Sequence, residues 1–467
     1  MFAALSGLRR SAGAARLAAV AAVGLAAAGV LSGAGTAVAD GTSQTQGGAT
    51  ATTNGLKTYG EAVIHGDGGD QRVSAGLFEM SVDGGGTLQT YCVDLHSPTQ
   101  RDARYQETSW RGTSLGANEN AGKIRWILQN SYPQVNDLAT LARRAGAGTL
   151  TEQDAAAGTQ VAIWRYSDGA KVDAADPQAE KLADYLQKSA RNLGEPQASL
   201  TLDPPAVSGR SGDLLGPVTV HTNAGAVTVA PPADAAGGGV RITDRTGKVL
   251  TSAKDGSRLY FDVPETAAAG TAQLTLQGST TVPVGRAFVS DSRSQTQILA
   301  GSSESTVSAT ATATWAAEGA IPAVSARKNC VKGGVDVVAA NKGDEPFTFE
   351  LLGTEQVIAA GASRTVTVPL QEDQAYDFTI TGPNGFSHRF TGVLDCKTQG
   401  AIATETTRIH TQPSPATVGG VAAADTTDLA ETGGSAITPL IAGVAIGLVV
   451  IGGAVLVLLR NREQTDA

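Results

Sequence analysis

The sequence predicts a multidomain, exported chain. A mixed α+β domain over residues 57–194 is followed by two all-β units, 195–326 and 327–397. Three observations predict this. Near residue 195 the hydrophobic pattern changes from mixed strand and helix periods to sustained two-residue alternation. Aromatic residues make up only 4% of the 467 residues, and three of the four tryptophans (Trp110, Trp126, Trp164) fall in the first region. Both ends carry apolar runs flanked by arginines, unlike the globular sequence between them.

At the N-terminus, Arg9, Arg10 and Arg16 precede an apolar run over residues 17–31. Small residues Ala37 and Ala39 then stand before Asp40. This reads as a secretory signal, residues 1–39, cleaved between Ala39 and Asp40. The run is too short and too alanine-rich to be preferred as an anchor. Residues 40–56 are rich in Gly, Thr and Ser, and are expected to be disordered.

Within 57–194, "KTYGEAVIHG", "VSAGLFEMSVDG" and "TLQTYCVDL" alternate as strands, with the Gly-rich "DGGG" as a turn. Helices follow. Asn118 is placed to cap one that carries Ile124, Ile127 and Leu128 on one face. Thr151 caps a second, with Asp154 at the capping-box position and Gly169 at its end. Asp176 caps a third with Pro177 in its first turn, running to Gly194. Residues 195–326 offer short alternating strands broken by Gly, Pro, Asn and Asp, which predicts an Ig-like sandwich. The 327–397 unit repeats the pattern on a smaller scale, with Cys330 and Cys396 at its ends. We pair them as a disulfide, worth about 4 kcal/mol for a loop of that length, the alternative being two free thiols. Residues 398–428 are Thr-, Ala- and Pro-rich without a period and read as a linker.

Residues 437–459 are apolar and long enough to span a bilayer as a helix, and Arg460 and Arg462 after them would stay cytoplasmic. Just before them stands Leu429-Ala430-Glu431-Thr432-Gly433. Motif, span and basic tail together resemble a Gram-positive cell-wall sorting signal of the LAxTG form, residues 429–467. That resemblance implies a sortase, of class E, cutting after Thr432 and joining it to the wall peptide. Loss of Arg9, Arg10 and Arg16 takes the formal charge from −9 to −12, while the charges after Thr432 cancel. An acidic chain of this kind lacks the basic footprint of nucleic-acid binding.

Cys92, in "TYCVDLHSPTQ", is left without a partner, although free thiols are a liability outside the cell. Gln160 lies on the second helix with Trp164 one turn later on the same face. A thiol held against a carboxamide can expel ammonia and leave a thioester, provided that a fold supplies proximity and excludes water. Tyr91, Asp94, Trp126, Trp164 and Tyr166 are candidates to line such a pocket. At these residues the sequence resembles the bacterial thioester domains of Gram-positive surface adhesins. Tyr91-Cys92-Val93 matches the family's aromatic-Cys-hydrophobic motif, and Thr159-Gln160-Val161-Ala162 its Thr-Gln-x-Ala motif. The resemblance implies a Cys92–Gln160 thioester attacked by an amine of a target protein, giving a covalent amide in one stoichiometric event and not by enzymatic turnover. Bland readings remain beside it: Cys92 as a structural thiol in a wall spacer, or an incidental cysteine in a carbohydrate-binding protein. The five histidines show no metal-ligand spacing, the Gly runs lack the Lys of phosphate loops, and no cofactor is expected.

Overall fold

A computed structural model describes residues 47–397, apart from 67, 231, 233–238, 291 and 293. The expected signal peptide with its Ala39/Asp40 junction, the 398–428 linker and the 429–467 segment with Thr432 lie outside the described residues. Among the described residues, no helix is long and apolar enough to cross a membrane. The chain is mostly β, in several sheets, with few helices.

The N-terminal part is built from β1 (Thr50–Gly66), β2 (Gly69–Val82), β3 (Thr87–Cys92) and β4 (Arg104–Thr108). Then come α1 (Ala121–Asn130), α2 (Leu138–Ala145), α3 (Glu152–Ser167), a short β5 (Val172–Ala174) and α4 (Pro177–Ser189). The ordered start of β1 corrects the expectation of disorder through residue 56. The small residues here serve packing: a Cβ on Gly47 would lie 2.4 Å from the Leu200 carbonyl oxygen. Ala49 donates its N–H to Glu107. Strand β1 shifts register around Gly55, whose φ is +89°, and the resulting bend lets one strand pair with β2, β4 and β5.

The predicted helix starts are present as local chemistry. Thr151 and Asp154 form a reciprocal capping box, and Asp176 caps α4. Asn118 makes a turn onto the Asn120 N–H, and α1 begins after it. Helix α4 ends at Ser189, short of Gly194. Helix α2, not anticipated from the sequence, is capped by Asp137 and closed by Gly146 in the left-handed region. Helix α3 is buried nearly all round from Ala155 to Trp164, between the β1–β2 hairpin on one side and α1 and α4 on the other. Its run of Ala and Gly makes this possible. Gly158 lies where a Cβ would sit 2.4 Å from the Ala179 carbonyl of α4.

Residues 195–326 depart from the expected self-contained sandwich. Strands β6 (Leu200–Asp203), β7 (Ala206–Arg210), β8 (Leu214–Thr222), β9 (Val227–Ala230), β10 (Arg241–Thr243), β11 (Ser252–Ala253), β12 (Arg258–Asp262) and β13 (Gly270–Thr281) do build two facing sheets. Next, β14 (Ala287–Ser290) and β15 (Gln297–Ser302) leave them, before β16 (Glu304–Ala316) returns to pair with β13 along its length. Strand β14 pairs with β4, and β15 with β3. The ring β1–β2–β3–β15–β14–β4–β1 therefore closes on itself. The physical reason is that alternation fixes which face of a strand is buried but not which sheet receives it.

A buried ion pair holds this return. Glu107 on β4 accepts from Arg286 Nε at 2.8 Å, from the Ser199 N–H at 3.0 Å and from the Ser199 hydroxyl. Arg286 Nη1 reaches Glu195 and the Pro196 carbonyl, so the chain leaving α4 and the chain entering β14 meet at one carboxylate. Residues 320–393 form a further β unit of one three-stranded and two two-stranded sheets around Phe347, Phe349, Ile380 and Phe390. Cys330 and Cys396 are disulfide-bonded, closing it.

Candidate functional site: a buried thiol between two glutamines

Cys92 ends β3 and is a free thiol, 2% exposed. Beyond Thr90, β3 loses its hydrogen-bonded neighbour β2. Gln160 of α3 fills that gap. The Cys92 N–H donates to Gln160 Oε1 at 2.9 Å, and Gln160 Nε2 donates to the Cys92 carbonyl at 2.9 Å. The carboxamide thus imitates a strand edge and satisfies both buried main-chain groups. Its neighbour Thr159 donates to the Ala155 carbonyl and contacts Ser131, which ties the helix to the end of α1 next to Gln160.

A second glutamine occupies the sulfur. Gln297 of β15 is the direct cross-strand partner of Cys92. The Val93 N–H bonds to the Thr296 carbonyl, while the Cys92 main-chain groups point away to Gln160. Cys92 and Gln297 are therefore a non-hydrogen-bonded pair, the kind that brings side chains closest. Gln297 Nε2 lies 3.4 Å from Cys92 Sγ, and Gln297 Oε1 accepts from the Thr90 hydroxyl at 3.0 Å. Cys92, Gln297 and Thr90 are all buried.

The structure brings the expected Gln160 to Cys92 together with a second glutamine. Gln160 holds the cysteine backbone, and Gln297 presents its carboxamide to the thiol. Gln297 went unrecognised because "SQTQILA" carries no mark of which strand it will pair with. Its one local signal is a second Thr-Gln dipeptide before an apolar run.

Thr99, from the segment after β3, completes the surroundings of the sulfur. Its Oγ1 is 3.8 Å from Cys92 Sγ and accepts from Gln297 Nε2 at 3.2 Å and Gln295 Nε2 at 2.8 Å. Burial pushes the Cys92 thiol up to about 12; contacts from Gln297 and Thr99 oppose this, and the charges of Asp94 and Asp168 add to it. Before any reaction, burial favours the neutral thiol over the thiolate.

The other pocket candidates divide. Tyr91 is fully buried and donates to the Tyr132 carbonyl, and Trp164 is buried one turn beyond Gln160, its Nε1 without a hydrogen-bond partner among the described residues. Asp94 turns the chain after the cysteine, accepting from the His96 N–H and the Ser97 hydroxyl. Asp168, not foreseen, holds the Leu95 N–H from the end of α3, and burial raises its carboxyl to about 7. Trp126 is half-buried at the edge of the same core. Tyr166 faces elsewhere: its hydroxyl donates to the Gln187 carbonyl and Lys123 lies over its ring.

Residues 89–192 match the thioester-domain family. The chain contains a thioester domain. The matched segment runs from β3 into the residues after α4, so it includes Cys92 and Gln160 and ends before Gln297. Residues 320–393 match the C-terminal domain of bacterial phospholipase C. Among solved structures, the chain is similar to the TIE protein of Bacillus anthracis, at 14% identity over 74% of this chain, with a TM-score of 0.27. It spans 64% of that protein's length. It is also similar to the thioester domain of the Enterococcus faecium TIE86 protein, at 18% identity, covering 59% of this chain and 98% of that one, with a TM-score of 0.27. No curated protein matches.

Proposed function

We propose that the chain is a surface protein that captures a target covalently through a thioester between Cys92 and Gln297. Cys92 Sγ adds to the Gln297 side-chain carbon, the carbonyl oxygen is held by the Thr90 hydroxyl, and the nitrogen leaves as ammonia with the thiol proton. A target amine then attacks the same carbon. A C–N bond forms, the C–S bond breaks, the amine gives up one proton and the Cys92 thiol is regenerated. The product is an amide to Gln297. Each chain reacts once, so the process is stoichiometric rather than enzymatic.

The observation that carries this reading is the contact of Gln297 Nε2 with Cys92 Sγ at 3.4 Å inside a buried pocket. Preorganisation of this kind replaces a bimolecular encounter with an intramolecular one. Export, attachment at Thr432 by a class E sortase to the wall peptide, and a role in adhesion to an amine-bearing protein belong to the same proposal, supported by the signals at the two ends of the sequence.

Intact mass spectrometry of purified residues 40–432 tests it. The wild type should be lighter than the disulfide-bonded chain by one ammonia, and should gain methylamine on incubation. Cys92→Ala and Gln297→Ala should show the full mass and gain nothing. Full mass in the wild type, with no methylamine uptake, removes the proposal.

A further inference from the structure

We infer that Thr99 is a catalytic residue of this site, relaying a proton from the attacking amine to the departing Cys92 sulfur. This rests on the proposed thioester chemistry and adds a role that neither Cys92 nor the two glutamines can fill.

The position of Gln297 Nε2 marks where an incoming amine nitrogen must end, because the product is again an amide on the Gln297 carbon. In that position the nitrogen touches two groups: Cys92 Sγ at 3.4 Å and Thr99 Oγ1 at 3.2 Å. Thr99 Oγ1 also touches the sulfur, at 3.8 Å. One hydroxyl therefore bridges the atom that must lose a proton and the atom that must gain one.

The direction of the hydroxyl hydrogen follows from counting. A threonine oxygen has two lone pairs and one hydrogen. Gln295 Nε2 donates to one lone pair at 2.8 Å and Gln297 Nε2 to the other at 3.2 Å. The hydrogen is left for the sulfur. When ammonia leaves, the lone pair that faced Gln297 Nε2 is freed, at the place where the N–H of a new amine arrives. Gln295, 2% exposed, fixes the hydroxyl from behind and is the positioning residue.

The pocket makes such a relay necessary. Burial and the nearby Asp94 and Asp168 carboxyls oppose a naked thiolate at Cys92, so sulfur must be protonated as the C–S bond breaks. The step balances. The amine nitrogen gives a proton to Thr99 Oγ1, Thr99 gives its own to Sγ, and the hydroxyl ends as it began. Run backwards with ammonia, the same relay serves thioester formation. Thr99 is half-buried between exposed Pro98 and Gln100, so the relay sits at the rim that a target side chain would reach first.

The test uses residues 40–432 as wild type, Thr99→Val and Thr99→Ser, each followed by intact mass during ammonia loss and during methylamine uptake. Thr99→Val, close to Thr in shape, should slow both steps by about 100-fold, with Thr99→Ser within about threefold of wild type. Added phosphate buffer should accelerate the valine variant by supplying the missing proton carrier and leave the wild type almost unchanged. A structural role for Thr99 would not give that buffer response. If Thr99→Val loses ammonia and takes up methylamine at the wild-type rates, or is equally insensitive to buffer, the relay is wrong while the thioester stands. A wild type that never loses ammonia overturns both together.

Discussion

The two glutamines at Cys92 make opposite predictions. Gln160→Ala removes a side chain that is fully buried and spends both polar atoms on Cys92. The Cys92 N–H and carbonyl are then left without partners, each costing about 1–3 kcal/mol. The expected loss of stability is about 4 kcal/mol, read as a lower urea midpoint. The acyl donor is untouched, so the variant should still lose ammonia, though more slowly because Cys92 is less well held. Gln297→Ala orphans mainly the Thr90 hydroxyl, a single buried group, and should cost about half as much. It should abolish ammonia loss at all times. Intact mass and urea denaturation on the same samples decide the matter, with peptide mapping of the methylamine adduct to place it on Gln297. If Gln160→Ala were as stable as wild type and kept its ammonia, while Gln297→Ala lost it, the assignment argued from the strand register would be refuted.

Further outcomes are expected away from the sulfur. Arg286→Met leaves Glu107 charged and buried against two N–H groups and a hydroxyl, and should destabilise the chain by about 3–5 kcal/mol in urea; a change under about 1 kcal/mol would remove the staple role. Asp168 has its carboxyl raised by burial from 3.8 to about 7, so the folded chain holds this proton more tightly than the unfolded one. Its contribution therefore declines as pH rises from 3.8 to about 7, and Asp168→Asn should flatten that part of the stability–pH curve; an unchanged slope sinks the reasoning. Gly158→Val should separate α3 from α4, because even a Cβ falls 2.4 Å from the Ala179 carbonyl, and the loss should appear as a lower melting temperature together with slower ammonia loss. Reduction of Cys330–Cys396 should destabilise the 320–393 unit by about 4 kcal/mol, with thioester formation unaffected.

The readable parts of the chain were those governed by neighbours in sequence. The Thr151/Asp154 capping box and the Asp176-Pro177 start are satisfied within one helical turn, so their residues announce them. Helix α2 has the same kind of signals in Asp137 and Gly146, and was legible although its eight residues were passed over. Cys92 could be singled out by cysteine parity, and Gln160 by its motif on a helix face.

What the sequence by itself determined was local geometry and chemical inventory: which segments coil or extend, which faces are apolar, and that one thiol had no disulfide partner. The tertiary structure decided which glutamine meets that thiol. Strands β14 and β15 alternate like their neighbours in the sandwich, and only closure of the ring through β3 and β4 draws them away from it. The Cys92–Gln297 contact spans 205 residues and depends on strand register, where a shift of one residue would turn Gln297 to the opposite face. Gln160 lies beside Cys92, but its role depends on the β2–β3 pairing stopping at Phe78–Thr90, two residues short of Cys92, which leaves a backbone edge for its carboxamide to complete. Such pairing energies are collective, and no single residue type records them.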